Sequence, residues 1–164
     1  MKRNIRAEHI LNSDGRGFQA YLDSFAKKNI GVNEPMRDLI VNQRSYPAGH
    51  EFRLVHVSGE EFAPDFRTTG QIMRHAYEQG YLAAPLESAL LLREALTPQN
   101  ILELGGSCVI VLLEGVYIDQ KGPYYVKIGS HGSYNLVYAL ETSMNGNWYQ
   151  DNSFVFMLPS VVSD

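Results

Sequence analysis

Three runs in the last third of the chain carry almost no polar group: CVIVLL at 108–113, LVYAL at 136–140 and FVFML at 154–158. A strand sends alternate side chains to opposite faces, so a strand with no polar face must be covered on both. Each run is therefore expected near the middle of a sheet or between two layers. A fourth strand, 124–128, differs because Lys127 marks one outward face. Turn signals at 119–122, 129–133 and Asn145-Gly146 separate the four.

The residues before this region read as helices. In GFQAYLDSFAKK the apolar residues Phe18, Tyr21, Leu22 and Phe25 recur at helical spacing behind an Asp14-Gly15 turn. Asn33 can cap EPMRDLIVNQ, with Pro35 in a first turn where a missing N–H costs nothing. Thr68 and Gln71 have capping-box spacing ahead of an Ile72, Met73, Ala76, Tyr77 stripe, and Gly80 stops that helix. LESALLLREAL follows and must end before Thr97-Pro98, which starts a short helix through Leu104. One strand, 51–57, interrupts the helical part.

At 164 residues the chain suits a single domain, 1–164, mainly helical over 1–105 with one strand and sheet over 106–160. The expected fold class is α+β: a helical N-terminal part packed on a C-terminal antiparallel sheet of about four to five strands. Helices can cover one face of such a sheet, so the sheet must curl on itself or meet a second copy, and a homo-oligomer is expected because a large exposed apolar face is unusual for a monomer.

Charge restricts the possible partners. Fourteen basic and eighteen acidic residues give a net charge of -4, and all of the excess lies in 101–164, with two basic and six acidic residues. A general nucleic-acid binder is thus disfavoured; accessory binding would need Arg37, Arg44, Arg53, Arg67 and Arg74 on one face. The basic start lacks the apolar run of a signal peptide, and no segment approaches the roughly 20 apolar residues of a membrane helix. One cysteine allows no internal disulfide and suits a reducing compartment, so the cytoplasm is expected.

Catalytic signatures are sparse. Cys108 follows Gly105-Gly106-Ser107, but here a helix leads into a strand, the reverse of a nucleophile elbow, and the expectation is a buried core thiol. His9, His50, His56, His75 and His131 lack metal-motif spacing. His50 and His56 would share a strand face about 20 Å apart, too far for one ion. His131 lies in a glycine- and serine-rich loop that backbone amides could line. No metal or cofactor is therefore expected.

Tyr117, Tyr124, Tyr125, Tyr134, Tyr138, Trp148 and Tyr149 form the unusual feature, since such rings combine apolar area with a polar handle. The favoured reading is a non-catalytic binding module using an aromatic sheet edge, with Tyr125, His131, Tyr134 and Trp148 as contact residues and a protein or small ligand as partner. The alternative is a small enzyme using His131, or Cys108 with a histidine brought near by folding.

TTGQIMRHAYEQGYLAAPLESALLLREAL and the later NWYQDNSFVFMLPS together resemble a pattern in small uncharacterised bacterial proteins, in which a capped helix, a Gly-Tyr turn and a Leu-Glu helix precede a compact antiparallel sheet. The resemblance spans roughly residues 68–159. It implies a fold and no activity.

Overall fold

The computed structural model describes residues 8–42, 45–104, 108–113, 124–131 and 134–160. Seven strands form one sheet: β1 (Glu8–Asn12), β2 (Ile30–Val32), β3 (Glu51–Ser58), β4 (Cys108–Leu112), β5 (Tyr124–His131), β6 (Tyr134–Glu141) and β7 (Ser153–Met157). Their order is β1-β3-β7-β4-β5-β6-β2. Five α-helices accompany them: α1 (Phe18–Lys27), α2 (Glu34–Asn42), α3 (Thr69–Glu78), α4 (Leu86–Ala95) and α5 (Pro98–Glu103).

The class is α+β, but the expected antiparallel sheet of four to five strands is corrected to a seven-stranded mixed one. β4 runs parallel to β7 and β2 parallel to β6, while the other neighbours are antiparallel. The first 105 residues hold three strands rather than one. Two physical reasons account for the difference. β2 is only three residues long, too short to display a period and with Gly31 at its centre. Parallel pairing between segments 105 residues apart, as in Ile30–Asn135, or 44 apart, as in Val109–Ser153, is set by tertiary packing, which local periodicity does not encode.

Helix boundaries follow the local chemistry. Thr68 accepts a bond from Gln71 N–H, and Thr97 with Asn100 forms a reciprocal capping box ahead of Pro98. Gly80, at φ 78°, takes the left-handed conformation that ends the α3 segment. Asn33 caps α2 by accepting from Met36 N–H, and its amide also brackets Ala139 on β6, donating to the carbonyl at 2.8 Å and accepting the N–H at 3.0 Å. One side chain thus continues the short edge strand's ladder into the next helix.

For β4 and β7 the double cover is intramolecular, whereas β6 buries Val137 and Ala139 on one face and leaves Leu136, Tyr138 and Leu140 half-buried on the other. On the first face α1, α2, α4 and α5 pack through Tyr21, Phe25, Met36, Leu39, Ile40, Ala89, Leu90 and Ile101 against Phe52, Leu54, Val109, Val111, Val126, Ile128, Val137, Ala139 and Val155. On the second face α3 lays Ile72 and Ala76 over Val55, Val57, Ile110, Leu112, Phe154 and Phe156, with Phe62, Tyr81 and Trp148 filling the flanks. Over β3, β7 and β4 the premise of the oligomer expectation, an open apolar face, is therefore absent.

The chain passes from α3 on one face to α4 on the other through a break in the sheet. Leu82 pairs with Met157 at the end of β7, and Ala84 pairs with Leu113 just beyond β4. The segment is wedged where these two parallel strands separate. Among the described residues no helix is long and apolar enough to cross a membrane.

Candidate functional site

A cleft opens beside this break. It has a volume of about 540 Å³ and is lined by Tyr46, His50, Phe52, Arg53, Pro85 and Met157, with Glu51, Leu158 and Ser160 also reaching it. It lies at the C-terminal end of β7 and the start of β3, and the end of β4 meets the crossing segment next to Pro85. In open sheets, ligands are commonly held in the crevice outside the carboxyl ends of parallel strands, so the position is a plausible one on architecture alone.

Three rings form one wall. The centroids of Tyr46 and His50 are 4.4 Å apart, those of His50 and Phe52 4.8 Å, and those of Tyr46 and Phe52 5.0 Å with planes at 82°. Phe52 is fully buried and His50 exposed, so the cluster runs from the core to solvent. Arg53 stands at the rim, with its guanidinium bonded to Glu8 at 2.7 Å.

The loop carrying Tyr46 is fixed from beneath. Glu87, on the first turn of α4 and 2 % exposed, accepts the Tyr46 N–H through Oε2 at 2.6 Å and the Tyr21 hydroxyl through Oε1 at 2.9 Å. The Ser13 hydroxyl shares its proton between Glu87 Oε1 (2.8 Å) and the Tyr46 carbonyl (3.0 Å). A buried carboxyl with both oxygens occupied is a structural anchor. It also raises the pKa of the Tyr21 phenol, where burial acts first and neighbouring Glu87 second. About 10 Å further along α4, Arg16 forks both oxygens of Glu94 at 2.7 and 2.8 Å, while Ser24 donates to the same carboxylate.

A second, more open groove of about 710 Å³ runs along α3 between Met73, Tyr77 and Met144, with Arg74 and Glu78 at its edge.

The residues singled out from sequence do not meet in either place. Tyr125 and Trp148 touch edge to face at 4.9 Å, and Trp148 also packs on Phe154 at 5.5 Å. The indole N–H donates to Thr69 Oγ1 at 2.9 Å, so this handle holds the 148 loop to α3. His131 and Tyr134 pair at the far end of the β5–β6 hairpin, six residues and about 20 Å of strand from Tyr125. The side chains of His131 and Tyr134 lie outside the described residues, as do Gly132, Ser133, Tyr117 and Arg44.

Cys108 is 6 % exposed, inside the second-face core, and its sulfur accepts a bond from Asn152 Nδ2 at 3.3 Å. Asn152 is itself anchored: its carbonyl accepts from Gly59 N–H, where a Cβ would come within 2.6 Å of the Tyr149 carbonyl and only glycine fits. The arginines do not converge either. Arg37 is on α2 and Arg74 on α3, which cover opposite faces, Arg53 is paired with Glu8, and the Arg67 Nε donates to the Gly59 and Phe62 carbonyls. Among the described residues no group of three or more His, Cys, Asp or Glu side chains is placed to hold a metal ion.

Sequence reasoning had considered His50 only together with His56. The structure separates the two: His50 joins Tyr46 and Phe52, whereas His56 meets His9 across β1 and β3 at 5.0 Å. The available signal was the three-ring spacing of Tyr46, His50 and Phe52 around a Pro-Ala-Gly turn. Comparison with protein-family models, curated proteins and solved structures found no match.

Proposed function

We propose that the protein is a non-catalytic binding module that takes a small, flat, partly apolar ligand in the Tyr46–His50–Phe52 cleft. The observation that carries this reading is a half-open cleft of about 540 Å³ bordered by three rings in mutual contact. That volume lies within the range of small-molecule pockets, and the lining is mixed, with Phe52, Pro85, Met157 and Leu158 beside the polar Tyr46, His50, Glu51 and Ser160.

Preorganisation supports the same reading. Glu87 fixes the backbone of the ring-bearing loop, so a ligand would meet a wall that is already ordered and would lose less affinity to loop ordering. The reading moves the contact surface from the sheet edge to this cleft, because Trp148 spends its N–H on Thr69 and Tyr125 packs against it. We place the protein in the cytoplasm, a compartment that suits a lone buried thiol.

The test is a two-dimensional NMR titration of the full chain with benzoate, indole and adenosine as flat probes of different polarity. At least one should shift the Met157 methyl and His50 ring signals in a saturable way, and His50→Ala should weaken that probe at least about fivefold. If the cleft signals stay in place with all three at millimolar concentration, the ligand reading fails.

A further inference from the structure

β1 is an edge strand that presents only two side chains to the interior. Glu8, Ile10 and Asn12 are exposed, whereas His9 and Leu11 turn inward. The His9 ring lies against His56 of β3, centroids 5.0 Å apart and planes at 65°. His56 is 6 % exposed, and its Nδ1 is 2.8 Å from Ser153 Oγ on β7. The Nε2 atoms of both rings are buried and have no hydrogen-bond partner. Because neither nitrogen reaches open space, the pair has no room for a bridging water or ion.

Two imidazoles in this arrangement are tolerable only while neutral. A protonated imidazole carries two N–H donors and a charge. His56 would find Ser153 for one donor and nothing for the other, and a charge on His9 would repel one on His56. The surrounding elements offer no compensating carboxylate. β7 contributes the uncharged Ser153 and Val155 to this side. On α4, the helix laid against β1, Glu87 is saturated by Ser13, Tyr21 and Tyr46, and Glu94 by Arg16 and Ser24. Arg93, buried on the same helix, bears a like charge. The Glu8–Arg53 pair sits with Val55 on the opposite side of the sheet.

We propose that β1 is an acid-released edge strand: protonation of the His9–His56 pair frees residues 8–12 from β3 while the rest of the sheet stays closed. The release has a defined stop. Ser13 remains tied to His50 and Gly49 through its backbone and to Glu87 through its hydroxyl, so the chain would peel from its N-terminal side up to that anchor.

The direction with pH follows from the burial. Desolvation lowers the pKa of His9, and desolvation, then the neighbouring His9, bring that of His56 from 6.5 to about 3. The released strand takes up protons that the docked one refuses, so docking is complete above about pH 6.5 and weakens as the pH falls towards 3.

Amide hydrogen exchange on the full chain at pH 7.0 and 4.5, expressed as protection factors to remove the intrinsic pH effect, tests this. The expected result is a loss of protection of at least about tenfold at pH 4.5 in amides bonded between β1 and β3, with β5–β6 amides changing less than about twofold. In the His9→Leu/His56→Leu double variant that difference should vanish, and if the double variant fails to fold, His9→Gln alone should reduce it. Unchanged protection of β1, an equal loss across β5–β6, or an undiminished response in a folded variant would overturn the proposal.

Discussion

The two faces of the sheet are buried by different means. On the first face four helices cover seven strands, and the space among α1, α4 and the loop before β3 contains a hydrogen-bonded polar network centred on Glu87. On the second face one ten-residue helix, α3, does most of the work. Its beginning is tied to the β6–β7 loop by Thr69 N–H to the Gly146 carbonyl, Gly70 N–H to the Met144 carbonyl and the Trp148 indole to Thr69. The first face is redundant in apolar cover and dependent on one carboxyl for the order of its loops. The second has little redundancy and depends on where one helix sits. The cleft proposed as a ligand site borders the first side, where Glu87 holds the Tyr46 loop in place.

Removing the Glu87 carboxyl should have the largest effect. Glu87→Ala leaves the Tyr21 hydroxyl and the Tyr46 N–H without their acceptor and the Ser13 hydroxyl with only the Tyr46 carbonyl. We expect a loss of about 3–5 kcal/mol in denaturant unfolding. At this chain length each kcal/mol corresponds to about 2–4 °C of Tm. A loss below about 1 kcal/mol would mean that the first face does not depend on its polar network.

Ile72→Ala and Leu90→Ala remove fully buried side chains from α3 and α4 and should each cost about 2–5 kcal/mol. They sharpen the contrast when read through Cys108, which lies only in the second-face core. A thiol reagent should label the folded native protein slowly, and Ile72→Ala should accelerate labelling several-fold more than Leu90→Ala. Equal acceleration by the two variants would show that the faces open as one unit.

The smallest effect belongs to Trp148→Phe, which keeps an aromatic ring against Tyr125 and Phe154 but deletes the bond to Thr69. About 1 kcal/mol is expected from thermal melts. A cost approaching that of Ile72→Ala would move the main restraint on α3 from its apolar stripe to its first turn.

Much of the secondary structure was legible because it is written locally. The stripe in α1, the Thr68 cap of α3, the Asn33 cap of α2 and the four strands β4 to β7 all follow from spacing and turn chemistry within about ten residues. The demand for two covered faces is also visible there, but not that α3 would meet it over β3, β7 and β4. α3 carries an amphipathic stripe like that of α1, and nothing in a stripe says which face of a sheet it will meet.

The candidate site was less legible. Tyr125 and Trp148 stand out by residue type, but their rings pack on each other and the indole N–H is taken by Thr69. The cleft is assembled from the 46–53 segment, Pro85 and residues 157–160, three stretches that meet only because the chain crosses the sheet at Leu82 and Ala84. His9 was similarly invisible as a partner of His56, since β1 had not been recognised as a strand.

By itself the sequence determined where helices and long strands form, that the 108–113 and 154–158 runs are buried on both sides, and that the lone thiol belongs in the core. Those are consequences of periodicity, capping and hydrophobicity, which act between near neighbours. Tertiary structure alone decided the order and direction of the strands, the helix that closes the second face, the cleft beside the crossing segment and the meeting of two histidines. Such outcomes depend on packing distant segments into one volume, where the relative burial of whole faces outweighs any local preference.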